Sequence, residues 1–133
     1  AKVGVRFQCA TPEGYEPQQK FVDAAKAEGE VLITRDPREA VQNADAVYTD
    51  VWTSMGQEEE SARRAQVFPP YQLNAQLLSN AKPDAIVMHD LPAHRGEEIS
   101  GDVMDGPQSA IFQQAENRMH AQKAVLAKLL GRV

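Results

Sequence analysis

Two stretches carry residues of the types and spacing that make a ligand site. The first is Asp50-Val51-Trp52-Thr53-Ser54-Met55-Gly56-Gln57-Glu58, directly after the β-prone run Ala46-Val47-Tyr48-Thr49. An open α/β sheet places its crevice outside the carboxyl ends of its strands, so an acid at a strand end faces the ligand. A fixed carboxylate there makes a charge-assisted hydrogen bond to an ammonium group, and Asp50 has that position. Ser54 adds a hydroxyl near backbone N–H groups for a carboxylate, Met55 a pliable apolar wall, and Gly56 a close backbone approach. The second stretch, His89-Asp90-Leu91-Pro92-Ala93-His94-Arg95-Gly96, follows Ala85-Ile86-Val87-Met88 in the same way. Together the two strand ends suit a small cationic or zwitterionic ligand.

The other chemistry-bearing residues say less. His89, Asp90 and His94 lack a recognised metal-ligand spacing, so no metal is expected. Glu97 and Glu98 read as a solvated pair. Arg118, in Glu116-Asn117-Arg118, has the planar fork that holds a phosphate or carbonyl oxygen, and equally suits a bare surface. Trp52 reads as packing. Cys9 alternates with Phe7 and Val5 and reads as a packed thiol rather than a reactive one.

The positioning elements alternate. Val5 to Ala10 is a strand, followed by the turn Thr11-Pro12-Glu13-Gly14-Tyr15-Glu16-Pro17. A helix runs from Pro17 to about Glu28 and stops at Gly29. Val31 to Thr34 is a strand. Asp36 caps a short helix with Pro37 at its first position and Glu39 three after the cap, reaching about Ala44. Strand Ala46 to Thr49 delivers Asp50. Glu58 to Gln66 is a charged helix broken before Pro69-Pro70. Leu73 to Ala81 is a helix with Leu77 and Leu78 inward, and strand Ala85 to Met88 follows. A short helical turn falls within 97–104, Ala110 to Phe112 is a last strand, and Gln113 to Leu130 is the longest helix. Its Ala115, Met119, Leu126, Leu129 and Leu130 share a face. The predicted fold class is α/β: a Rossmann-like parallel sheet with helices on both faces, with Asp50 and Asp90 on one edge.

The chain has 133 residues, 42% hydrophobic and 25% charged, which suits one domain with a core. Its net charge of −5 argues against a general nucleic-acid binder. No apolar run approaches the roughly 18 residues of a membrane span, and no secretory signal opens the chain. A single cysteine fits a reducing compartment, and a cytoplasmic location is expected. Ala1-Lys2-Val3-Gly4 reads as the end of a helix stopped by glycine, as though the chain begins inside a fold.

Asp50-Val-Trp-Thr-Ser-Met-Gly-Gln-Glu58, His89-Asp-Leu-Pro-Ala-His-Arg-Gly96 and Ala115-Glu-Asn-Arg-Met-His120, in that order, closely resemble ornithine carbamoyltransferase. The likeness covers essentially the whole chain, including Thr11-Pro-Glu-Gly-Tyr-Glu-Pro17. The first motif separates ornithine users from aspartate users in that superfamily. The resemblance implies transfer of a carbamoyl group from carbamoyl phosphate to the side-chain amine of L-ornithine, giving citrulline and phosphate without a cofactor. It implies a subunit of two α/β domains and a homotrimer. By position, Asp50 holds the α-amino group of ornithine with help from Ser54 and Met55. Leu91 offers its backbone carbonyl between the substrates, and Arg118 reaches carbamoyl phosphate. Arg118 and the residue at position 90 are the expected catalytic positions.

Two departures stand out. The family's loop reads His-Cys-Leu-Pro, and here Asp90 replaces the cysteine. An ionised carboxylate there would hold the amine as ammonium, which is not nucleophilic, or would take its proton as a general base. It would also face a dianionic phosphate. Unit charges about 4 Å apart at an effective dielectric of about 20 interact by roughly 4 kcal/mol. Uncompensated, that is about three powers of ten in rate. The second departure is extent. The chain is expected to be a partial ornithine-side domain, without the carbamoyl-phosphate domain and without the first strand and helix of its own domain. Alone it is expected to be inactive and poorly folded. A non-catalytic amino-acid-binding module and a carbamoyltransferase for another amine such as putrescine remain open alternatives.

Overall fold

The computed structural model describes residues 3–53, 56 and 58–132, with Glu58 described by its backbone alone. Four strands alternate with helices: β1 (Phe7–Ala10), α1 (Gln19–Glu28), β2 (Val31–Thr34), α2 (Pro37–Val41), β3 (Ala46–Thr49), α3 (Ser61–Val67), α4 (Ala75–Leu78), β4 (Ile86–His89), α5 (Gly101–Met104) and α6 (Ile111–Leu129). Single turns of 3₁₀ helix, Glu58–Glu60 and Pro69–Tyr71, flank α3.

Local chemistry explains most boundaries. The Asp36 carboxylate accepts the Arg38 N–H at 2.9 Å, and Pro37 opens α2 where no donor is needed. Asn74 caps α4 by accepting the Leu77 N–H at 3.0 Å. The N–H of Gly29 closes α1 on the Ala25 carbonyl.

The α/β class and the parallel pairing hold. β1 pairs with β2 from Phe7↔Val31 to Ala10↔Thr34, and β3 with β4 from Ala46↔Ile86 to Thr49↔His89. Among the described residues the four strands form two separate pairs rather than one continuous sheet. The core belongs mainly to the second pair. Val47 and Val87 from its strands meet Leu77 and Leu78 of α4, Val103 and Met104 of α5, and Ile111 at the start of α6. Val41 of α2 joins the same cluster, and α2 also packs on β1 and β2. Neither β1 nor β2 contributes a fully buried residue.

Three expected elements change. Ala110-Ile111-Phe112 is not a strand. The Val87 N–H reaches the Gln108 carbonyl at 2.8 Å and the Ala110 N–H returns to Val87, giving one isolated bridge at Ser109. Ile111 then enters α6, which starts two residues earlier than expected. The helix expected over Leu73 to Ala81 shrinks to Ala75–Leu78, although Leu77 and Leu78 are buried as expected. Leu73 instead gives its backbone to the 98–100 segment, its N–H bonding the Glu98 carbonyl and its carbonyl the Ser100 N–H. Finally, the shared apolar face of α6 is open. Met119, Leu126, Leu129 and Leu130 are all more than half exposed, and only Ile111 of that helix is buried.

Ala1 and Lys2, the expected end of a preceding helix, lie outside the described residues, as do Ser54 and Met55. No described helix is long and apolar enough to cross a membrane.

Candidate functional site

The register of β3 against β4 builds the site. Thr49 pairs with His89, so the next residues, Asp50 and Asp90, leave the sheet side by side. Ligand-capable atoms of Asp50, His89 and Asp90 all lie within 4.8 Å of one another. The two acids expected on one edge are therefore neighbours.

His89 organises the second loop. Its side chain is fully buried, and backbone and ring together make three hydrogen bonds. The backbone N–H donates to Gln114 Oε1 at 3.0 Å. Nδ1 accepts the Leu91 N–H at 2.9 Å, which leaves Nε2–H to donate to Glu98 Oε1 at 3.2 Å. Asp90 Oδ1 lies 3.5 Å from Nδ1. The ring thus holds the backbone of Leu91, whose φ of +59° lies in the left-handed region that bulky residues avoid. A cis bond joins Leu91 to Pro92.

Glu98 corrects the expected solvated pair. Glu97 is exposed, but the Glu98 side chain is completely buried. Its Oε1 also accepts the His94 N–H at 2.6 Å, so one carboxylate closes the 94–98 turn and orients His89. Sequence reasoning missed this role, and the only signal was an acid directly before the wholly buried Ile99. It also missed Gln114. That amide accepts from the His89 N–H and donates from Nε2 to the Tyr48 hydroxyl at 2.8 Å, tying α6 to both strands.

Asp50 remains open to solvent, and its Oδ1 accepts the Val51 N–H at 2.7 Å. Partial burial of the carboxyl raises its pKa above the usual carboxylate range. The Val51 hydrogen bond opposes that rise, the charge and hydrogen bonding of Asp90 add to it, and His89 opposes it. Arg118 is exposed on α6, one turn beyond Gln114 on the same face, with no side-chain partner among the described residues. Gly56 has φ +86°, and a Cβ there would meet nothing within 4 Å. That φ lies in the left-handed region that glycine enters freely. Cys9 is half-buried, and burial pushes its thiol pKa up, in line with a packed role.

Two groups of described residues bring possible metal-ligand atoms within 4.8 Å of one another: Asp50, His89 and Asp90, and His94, Glu97 and Glu98. In the first, both ring nitrogens of His89 already hold hydrogen bonds, so a cation would displace Leu91 or Glu98.

A parallel α/β unit that gathers an acid pair, a buried histidine and a left-handed leucine at its strand ends is a small-ligand-binding domain of the open-sheet class. The family described as aspartate/ornithine carbamoyltransferase, Asp/Orn binding domain, matches residues 1–129. The chain belongs to that family. It is 56% identical to the ornithine carbamoyltransferase of Geobacillus stearothermophilus over 98% of this chain, and 57% identical to that of Carboxydothermus hydrogenoformans over 98%. It spans 43% and 44% of the length of those two relatives. The Pyrococcus furiosus ornithine carbamoyltransferase superimposes over 95% of this chain and 42% of its own, with a TM-score of 0.86 at 53% identity. The anabolic enzyme of Campylobacter jejuni covers 98% of this chain and 45% of its own, with a TM-score of 0.87 at 31% identity.

Proposed function

We propose that this chain is the ornithine-binding portion of an ornithine carbamoyltransferase, which transfers a carbamoyl group from carbamoyl phosphate to L-ornithine to give citrulline and phosphate. The observation that carries the reading is the side-by-side exit of Asp50 and Asp90 from paired strands, with the His89-held backbone of Leu91 beside them. Asp50 holds the α-amino group of ornithine by a charge-assisted hydrogen bond. Ser54 and Met55, which follow it in sequence, hold the carboxylate end. Leu91 presents its backbone carbonyl to the reacting amine, and Arg118 reaches carbamoyl phosphate from α6. The chemistry is positioning plus charge stabilisation of a tetrahedral centre, without metal or organic cofactor. The carbamoyl-phosphate half of the subunit completes the site, the assembly is a homotrimer, and the enzyme works in the cytoplasm.

Asp90 favours a second reading. A carboxylate beside Asp50 gathers negative charge where the attacking amine must be neutral. A site of that kind holds the ligand's amines as ammonium groups and binds without turnover, as a non-catalytic amino-acid-binding module would.

Citrulline formation by the complete parent polypeptide, with ornithine binding measured alongside, tests both readings. Turnover establishes the enzyme. Binding without turnover establishes the module, and absence of ornithine binding overturns both.

A further inference from the structure

The turn from His94 to Glu98 gathers an imidazole and two carboxylates, and one of those carboxylates is only half used. Glu98 is fully buried, and its Oε1 takes both hydrogen bonds, from His89 Nε2–H at 3.2 Å and from the His94 N–H at 2.6 Å. Oε2 is buried as well and accepts no hydrogen bond among the described residues. His94 Nδ1 faces it at 3.8 Å, too far for a hydrogen bond. Ligand-capable atoms of His94, Glu97 and Glu98 all lie within 4.8 Å of one another. A buried charged oxygen is costly unless it is paired or coordinates a metal.

The backbone under this group is fixed. Gln72 Nε2 donates to the carbonyls of Gly96 and Glu97 at 2.9 and 2.8 Å. The Glu97 N–H bonds the His94 carbonyl at 3.0 Å, and the Gly96 N–H bonds the Ile99 carbonyl at 2.8 Å. Arg95, the guanidinium of the same turn, is taken up by Asp105 at 2.8 and 3.1 Å and does not pair with Glu98. His94 and Glu97 are exposed, so an ion reaches Oε2 past side chains that can move.

We propose that His94 Nδ1, the Glu97 carboxylate and Glu98 Oε2 form a binding site for a divalent cation of the zinc class. Ligand bonds of about 2.0–2.2 Å let one ion span the 3.8 Å between Nδ1 and Oε2, and the exposed side chains close the rest. The imidazole decides the class. Calcium and magnesium take oxygen ligands, whereas imidazole beside carboxylates suits zinc. Three protein ligands leave the fourth tetrahedral position to water. Glu98 Oε1 keeps its hydrogen bonds to His89 and to the turn, which is the outer support that a ligating carboxylate needs. The Asp50, His89 and Asp90 group lacks that readiness, because both ring nitrogens of His89 are already engaged. The ion braces the turn behind His89 and is independent of the function proposed above.

The complete parent polypeptide, first stripped with a chelator, is titrated by calorimetry with zinc and with magnesium. Wild type is compared with His94→Ala, Glu97→Gln and Asp90→Asn, and each is melted with and without zinc. His94→Ala keeps the backbone N–H that holds Glu98. Wild type is expected to bind zinc and not magnesium, and zinc should raise its melting temperature. His94→Ala and Glu97→Gln should weaken zinc binding by more than about 100-fold, since loss of an outer-shell partner alone costs about 10- to 100-fold. Asp90→Asn should leave zinc affinity within about threefold, because it removes no ligand of this site. Anomalous scattering at the zinc edge, from crystals of the parent, should place the ion among His94, Glu97 and Glu98.

Absence of zinc binding overturns the proposal, as does binding that survives both His94→Ala and Glu97→Gln. Loss of zinc in Asp90→Asn, with the ion beside Asp50, overturns it in favour of the other group. Equal affinity for magnesium overturns the zinc class. Occupancy only at crystal concentration, with no rise in melting temperature, marks an adventitious ion only and also overturns it. Where a variant melts low without zinc, the anomalous map of wild type decides.

Discussion

A carboxylate with a raised pKa has two opposite duties at Asp50. Burial and Asp90 favour its protonated form in the fold, so its contribution to stability is present below the unfolded pKa and is lost as pH rises through the folded one. An ammonium ligand needs the ionised form, so ornithine affinity should fall as pH drops through that same raised value. Asp90→Asn removes one cause of the rise and should move the midpoint of the affinity–pH curve downward, and calorimetric titrations over a pH series check this. Asp50→Asn should weaken ornithine binding about 10- to 100-fold, the scale of a lost charge-assisted hydrogen bond, without lowering the melting temperature. Asp90→Cys in the complete enzyme should raise turnover; an unchanged rate would sink the idea that the carboxylate impairs transfer, and a fall would mark it as a general base. At this scale the sequence was most readable where a short loop carries its own chemistry, as at Asp50 and at His89 to Leu91. It was unreadable at Glu98 and Gln114, because an acid and an amide reveal nothing of their burial until the turn and α6 fold over them.

The secondary-structure elements are short, so single contacts decide their fate. The Glu98 carboxylate closes the turn before α5 and fixes the end of β4 through His89. Glu98→Ala strands two buried donors and should cost about 3 kcal/mol or more, seen as a lower urea midpoint of the complete polypeptide. Glu98→Gln keeps the acceptor and should lose less. At the end of α5, a Cβ on Gly106 would lie 2.6 Å from the Asp102 carbonyl oxygen, a backbone atom that yields only with the helix. Gly106→Ala should cost about 1–3 kcal/mol in the same measurement while leaving ornithine affinity unchanged. Capped elements were legible before the structure, since Asp36-Pro37 announces a helix by its own hydrogen bond. The Ala110–Phe112 segment was not. Its residues suit a strand, yet only the 108–110 backbone finds a partner in Val87, and Ile111 is drawn into the core as the first residue of a helix.

Two separate strand pairs and a one-sided core describe a molecule with unmet demands. A pair of strands is marginal unless packed, and β1–β2 has no fully buried residue of its own. The isolated chain should therefore melt broadly and bind a hydrophobic dye such as ANS, and a sharp two-state transition would contradict this. The alternation of strands and helices, and hence the α/β class, could be read from periodicity. The split into pairs could not, because strand order depends on long-range partners that local patterns do not encode. The Gln114 amide gives α6 a different character. It pins the helix near its start to both strand ends, while the apolar residues toward its far end stay uncovered. At about 1.5 Å per residue, Arg118 sits about 6 Å beyond that pin and Leu129 about 22 Å beyond it. A lean of about 10° would shift Arg118 by about 1 Å and the helix end by about 4 Å, on the same rise per residue. The helix is a lever with its fulcrum at the site: its tail can swing to meet whatever covers it while its guanidinium barely moves.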